Sequence, residues 1–231
     1  MGLHKMKNIL EFDINDKRIQ FLASTDSKLH YLIKYIGNVD LEIEANGFAC
    51  IVKYIVGQQI SDKARETIWK RLCDLCGDIT PGKMVNQAHE NMRKIGLTNR
   101  KIECIQSFSY CLIEKVIELE QLVLLPNEEI INKLISIKGI GRWTAEMYII
   151  FSLGRIDVLS KGDSTIRRSI QWMYNLENLP SEKEVACYFK KWTGYETIVS
   201  LYFWRSISLG LQRTSFNNIL SEGGSFYEDE P

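Results

Sequence analysis

The chain has 231 residues, 45% of them apolar and 25% charged, the make-up of an ordinary folded protein rather than a disordered one. At this length one domain or two closely packed lobes can bury a sizeable core without staples. Lys plus Arg and Asp plus Glu are equal at 29 each, so overall charge gives no pull toward a polyanion and any nucleic-acid footprint has to be local. No apolar run approaches the ~18 residues of a membrane span, and the opening MGLHKMKNILEFDINDKRIQ holds no signal-peptide core. A water-soluble, membrane-free cytosolic chain is expected. The cysteines, Cys50, Cys73, Cys76, Cys104, Cys111 and Cys187, lie scattered in apolar helical patterns, as reduced core thiols do.

Apolar residues recur at helical spacing, and only four prolines interrupt them; the chain reads as mostly α. Residues 1–24 form an N-terminal extension in which the spacing around Phe12 to Phe21 fits a short strand or hairpin. Helices are then expected over roughly 25–37, 44–57, 61–76, 85–94, 100–117, 127–137, 142–153, 164–174, 181–190 and 195–211, with boundaries good to a few residues. Gly77, Gly96 and Gly154 follow apolar runs as C-terminal caps, and Ser61 and Ser181 precede helices as N-caps, the latter with Glu184 completing a capping box. Residues 221–231, SEGGSFYEDEP, have little to bury and read as a flexible acidic tail.

The segment KGIGRWTAEMYII, residues 138–150, places two glycines one residue apart between apolar runs. It predicts a tight helical hairpin, with Ile140 turned inward and the first amides of the second helix turned outward as an anion site. A DNA phosphate beside Lys138 and Arg142 would suit it; an ordinary turn between two helices fits the spacing as well. From Lys138 to Arg168 six bases (Lys138, Arg142, Arg155, Lys161, Arg167, Arg168) stand against three acids (Glu146, Asp157, Asp163), while acids gather from Glu114 to Glu129 and in the tail.

LISIKGIGRWTA resembles the helix-hairpin-helix of the DNA base-excision glycosylase superfamily, most closely its 3-methyladenine DNA glycosylase II branch. IVGQQIS (55–61) resembles the family's helix junction beside the damaged base pair, and SLYFWRS (200–206) its C-terminal helix with a pocket tryptophan, so the likeness covers about residues 25–215. It implies an all-α, two-lobed helix-hairpin-helix glycosylase fold, with lobe one about 46–126, lobe two about 25–45 plus 128–220, and the active site in the interlobe cleft. The chain departs from the larger bacterial members in lacking their N-terminal β-rich domain, which leaves one pocket wall unassigned, and in carrying Lys138 where proline is usual.

The family's essential aspartate matches Asp163 in RIDVLSKGDSTIRRSI. Its plain reading is an N-cap for the following helix, and that position also favours the carboxylate anion which glycosidic cleavage needs as positive charge builds on the sugar. By the same resemblance Trp143, Trp204 and Met147 match pocket positions, where aromatic faces attract a cationic base. Gln58 and Gln59 are the candidates to fill the gap left by the flipped base, with the choice between them open. The resemblance also implies Lys138, Gly139, Gly141, Arg142 and Thr144 as the DNA-binding residues of the hairpin.

Relatives that also cut the strand carry a nucleophilic lysine where this chain has Trp143. The expectation is therefore a monofunctional N-glycosyl hydrolase of base excision repair that removes alkylated purines from double-stranded DNA and leaves an abasic site. A non-catalytic DNA-binding module and a glycosylase for oxidised bases are the alternatives. The lone CxxC at Cys73 and Cys76 and the dispersed His4, His30 and His89 give no metal motif, and no four-cysteine cluster loop follows Cys187. No cofactor is implied beyond a monovalent cation at the hairpin carbonyls. A monomer is expected, associated with the nucleoid in a prokaryote or nuclear in a eukaryote.

Overall fold

The computed structural model describes residues 8–224. Along them run β1 (Asn8–Phe12), α1 (Lys17–Thr25), α2 (Ser27–Ile36), β2 (Val39–Ile43), α3 (Gly47–Gly57), α4 (Asp62–Cys76) and α5 (Pro81–Val85). There follow α6 (His89–Lys94), α7 (Asn99–Ile113), α8 (Leu119–Leu122), α9 (Asn127–Ile135), α10 (Arg142–Phe151), α11 (Ser164–Tyr174), α12 (Glu182–Phe189), α13 (Glu196–Ser208) and α14 (Phe216–Gly224). The fold is mostly helical, as expected. The departure among the described residues is the pairing of β1 with β2. None of the described helices is long and apolar enough to cross a membrane.

The expected helices form, apart from the one over 85–94. Ser61 and Ser181 cap α4 and α12 through their side chains, and the capping box with Glu184 is formed. Gly77, Gly96 and Gly154 all take positive φ. The expected helix over 85–94 is instead the last residue of α5, a link, and α6. α1 has no counterpart among the expected helices, because only Ile19 and Leu22 of its nine residues are buried and so small a set defines no period. Of the expected tail, the first residues continue α14, and those from 225 on lie outside the described residues.

The chain divides into two compact units. The first takes in Ile43–Gly154; the second takes in Ile9–Glu42 and the chain from Arg155 onward. The sequence places the lobe boundary near residue 126. It falls instead after α10, because α9 and α10 pack on each other and α10 packs on α3 of the same unit.

In the first unit α3 is buried nearly all round, from Phe48 to Gly57 with Lys53 excepted, and α10 is buried at every residue from Thr144 to Ile150. Helices buried on all faces are central ones. Their contact brings the end of α3 beside the start of α10, and α7 packs on α3, α5 and α6. Burial at Phe48 and Phe108 includes a ring stack at 5.3 Å.

In the second unit α11 buries Ile166, Ser169, Ile170 and Met173, one face at helical spacing, and packs against α13. Trp192, Phe189 and Phe203 meet edge to face in its core. The buried carboxylate of Asp26 caps α2 through the Leu29 amide and accepts from the Tyr174 hydroxyl and from Lys191. Burial alone would raise its pKa, but Lys191, Tyr174 and the Leu29 amide outweigh that and hold it below the usual carboxylate range.

Candidate functional site

The hairpin of the first unit is α9, a turn over 136–141, and α10. Ile140 is buried and its amide donates to the Ile137 carbonyl at 3.1 Å, so it plugs the turn as expected. The two glycines differ in role. Gly139 has φ +96°, and a Cβ there would lie 2.7 Å from both Cβ and Sγ of Cys104 on α7. Its lack of a side chain serves packing inward. Gly141 is extended, with φ −95° and ψ 168°, caps α10 without any side-chain hydrogen bond, and has nothing within 4 Å of a notional Cβ. It presents bare backbone outward, where a phosphate can approach.

The polar side chains around the turn divide into committed and uncommitted. Arg142 is committed: its Nε donates to Glu146 at 2.9 Å, and its two terminal nitrogens donate to Glu128. Glu146 is 2% exposed, and a buried carboxylate needs such a partner. The sequence assigns Arg142 to DNA; in the structure its guanidinium neutralises Glu146 of α10 and ties that helix to α9. Lys138 is exposed and its side chain makes no hydrogen bond or ion pair among the described residues.

The two glutamines of the junction after α3 also separate. Gln58 Nε2 donates to the Gly139 carbonyl at 3.2 Å and to Thr144 Oγ1 at 3.0 Å, joining the junction to the hairpin. Gln59 is exposed and has φ +57°. A non-glycine residue in this region carries strain of about 1–3 kcal/mol, and such residues cluster at functional positions.

Trp143 is half-buried and meets Tyr54 edge to face at 5.6 Å, while Tyr54 stacks on Phe151 at 5.4 Å. Arg65 also lies against this group, 5.6 Å from the Tyr54 ring, held by Asp62 and Glu66. Thr144 and Met147 differ from expectation. They are 1% and 2% exposed, because α10 is buried at every residue from Thr144 to Ile150, and the Thr144 hydroxyl accepts from Gln58. Neither side chain is exposed.

In the second unit Asp163 is the N-cap of α11, and one carboxylate oxygen accepts from the amides of Thr165 at 2.8 Å and Ile166 at 3.1 Å. It is 8% exposed. The loop leading to it is pinned by Thr197 of α13, whose amide donates to Ile156 O at 2.9 Å and whose hydroxyl donates to Arg155 O at 2.9 Å and accepts from Val158 N at 3.2 Å. The Asp163 amide then closes a turn onto Ser160 O at 3.0 Å. Trp204, on α13, is half-buried.

A hairpin with an outward glycine, a strained polar junction and a buried capping aspartate are the features by which the chain can be compared with known proteins. Residues 52–194 match the HhH-GPD superfamily of base excision DNA repair proteins. The chain belongs to that superfamily. It is 31% identical over 194 residues to the alkylbase DNA glycosidase-like protein mag2 of Schizosaccharomyces pombe, covering 80% of this chain and 90% of that protein. The structure of a DNA-3-methyladenine glycosidase from Bacillus halodurans superposes with a TM-score of 0.76 at 33% identity, covering 92% of this chain and 99% of that one. The Schizosaccharomyces pombe 3-methyladenine DNA glycosylase Mag1, in complex with abasic DNA, superposes with a TM-score of 0.79 at 30% identity, covering 82% and 96%.

Three residues of this HhH-GPD chain support the site without any signal in the sequence. Cys104 beneath Gly139, Tyr54 beside Trp143 and Thr197 behind the Asp163 loop are each set by packing between elements distant in the chain. The monovalent cation implied at the hairpin meets a turn of neutral backbone oxygens. Those of Ile137, Gly139 and Gly141 each already accept one hydrogen bond, and each carbonyl keeps a second lone pair. Such a donor set fits a monovalent ion.

Proposed function

We propose that this HhH-GPD protein is a monofunctional DNA glycosylase that hydrolyses the N-glycosidic bond of alkylated purines of the 3-methyladenine type in duplex DNA and leaves an abasic site. The observation that carries the reading is Asp163, a buried carboxylate locked at a helix N-terminus in a chain whose fold matches glycosylases of this kind. As the bond from the sugar C1′ to the base nitrogen lengthens, positive charge grows on the deoxyribose, and the carboxylate stabilises it. Water adds to C1′ and gives its proton to Asp163, while the bond's electron pair leaves with the purine and neutralises its alkylation charge. A cationic leaving group of this sort requires no strong general acid.

Trp143 supports hydrolysis over strand cutting, because it stands where bifunctional relatives carry the lysine nucleophile. Like Trp204, it offers an aromatic face suited to a cationic base. Carbonyls of Ile137, Gly139 and Gly141 would hold a monovalent cation, which supplies positive charge toward a phosphate. The partner is damaged double-stranded DNA, and the compartment is wherever that DNA lies, nucleoid or nucleus.

Duplexes bearing 3-methyladenine, 7-methylguanine, ethenoadenine or hypoxanthine provide the test, with strand cleavage scored before and after alkali. The expected result is base release from at least one alkylated duplex, with strands cut only after alkali and no adduct trapped by borohydride. Release from none of them would sink the reading, and cleavage without alkali together with a trapped adduct would overturn its hydrolytic mechanism.

Gln59 is the residue we assign to the gap left by the flipped base, since Gln58 is already engaged with the hairpin. Gln59→Ala is expected to weaken binding to a lesion duplex roughly tenfold, about 1.4 kcal/mol, with the melting temperature unchanged. Gln58→Ala should instead lower stability by about 1–3 kcal/mol through two lost hydrogen bonds. Equilibrium binding and thermal melts of the two variants check this, and the reverse pattern would exchange their roles.

A further inference from the structure

We infer that the phosphate-binding surface extends from the hairpin turn onto α7, with Arg100 as a second phosphodiester ligand across a groove from Lys138. This rests on the reading of the chain as a DNA glycosylase. The groove encloses about 510 Å³ and is lined by Arg100, Glu103, Cys104, Ser107, Lys138 and Gly139.

The spacing Arg100, Glu103 and Cys104, Ser107 is one face of a helix. That face meets the turn directly, because Cys104 occupies the space in which a Gly139 side chain would lie. Arg100 therefore stands one helical turn, about 6 Å along the α7 axis, from the point where the hairpin touches it. That offset is close to the rise of two nucleotides along one DNA strand, about 3.4 Å each.

Among the basic groups near the turn, commitment decides which can serve. Arg142 is held by Glu128 and Glu146. Lys101 donates to the Val56 carbonyl at 2.7 Å, at the end of α3. Arg65 is held by Asp62 and Glu66. Arg100 and Lys138 are exposed and make no side-chain hydrogen bond or ion pair among the described residues. Each can turn to an arriving anion without breaking anything.

The floor of the groove adds no charge. Burial pushes the Cys104 thiol up to about 12, against the opposing pull of Arg100, so it stays a neutral thiol at physiological pH. Glu103 is the one acid on the lining. It repels a phosphate placed between the two bases and so holds down affinity for DNA in general. Neutralising it should therefore strengthen binding, an effect opposite in sign to the loss of either base.

The test is the salt dependence of binding to an undamaged duplex by the full chain and its Arg100→Gln, Lys138→Gln and Glu103→Gln variants. Each lost phosphate contact should lower the slope of log K against log salt by about 0.9. We expect that drop for Arg100→Gln and for Lys138→Gln, with melting temperatures unchanged, and tighter binding for Glu103→Gln. A full slope for Arg100→Gln beside a reduced one for Lys138→Gln would defeat the extension and leave the hairpin clamp standing. Unchanged slopes for both would defeat the clamp as well, while excision by the same variants reports separately on the glycosylase reading. Weaker binding by Glu103→Gln would also count against the groove. Competition by inorganic phosphate at constant ionic strength, if it removed the contribution of Arg100, would identify a free-phosphate site in place of a DNA contact.

Discussion

Asp163→Asn is expected to lower base excision by roughly a hundredfold to ten-thousandfold, the range typical when a positioned acid–base group is removed. The substitution is well suited to the question, because asparagine is as good an N-cap as aspartate. Its side-chain oxygen can accept the same two amides, from Thr165 and Ile166, that Asp163 accepts. Stability and DNA affinity should therefore stay near those of the natural chain, or affinity should rise as a carboxylate is removed from the neighbourhood of phosphates. Single-turnover excision on an alkylated duplex reads the first quantity, and fluorescence anisotropy with an uncleaved duplex reads the second. Asp163→Ala serves as the contrast, losing the cap as well as the carboxylate, at about 1 kcal/mol of stability. Excision by Asp163→Asn at the natural rate would show that the aspartate is a cap and nothing more.

Gly139→Ala should be the most destabilising small change in the hairpin. The added methyl would lie 2.7 Å from Cβ and Sγ of Cys104 at a backbone φ of +96°. Overpacking typically costs about 1–3 kcal/mol, and the left-handed backbone adds about 1–2 kcal/mol. For a chain of this size each kcal/mol moves the melting temperature by about 2–4 °C, so a fall of roughly 4–20 °C is expected in a thermal melt. Gly141→Ala separates the glycines: its backbone is extended and its Cβ position is open. It should melt within a degree or two of the natural chain yet bind DNA more weakly, since the methyl stands where backbone meets phosphate. Equal loss of stability at both positions would contradict the division of roles between them.

The behaviour of these glycines also indicates how far sequence reasoning reaches. A Gly-x-Gly between apolar runs predicts a pinch with Ile140 turned inward, and both are present. It cannot say that the first glycine is needed because α7 lies beneath it, since Cys104 is 35 positions earlier in the chain. Arg142 is a similar case. Its place at a helix start suggests a phosphate ligand, whereas its engagement with Glu128 and Glu146 follows from the way α9 and α10 pack. Thr144 and Met147 lie at positions matched by resemblance, yet both belong to the stretch of α10 that is buried all round.

By itself the sequence determined the helices long enough to define a period, their caps at Ser61, Gly77 and Ser181, the hairpin, and the aspartate that follows it. These are local matters, set by spacing along the backbone and by hydrogen bonds between residues two to four apart. Only the tertiary structure decided which glutamine is spoken for, that Arg142 is engaged by Glu128 and Glu146, where the two units divide, and that Thr197 holds the loop before Asp163. Those outcomes depend on which surfaces meet, and burial can settle that only once the whole chain has collapsed around α3 and α10 in one unit and α11 and α13 in the other.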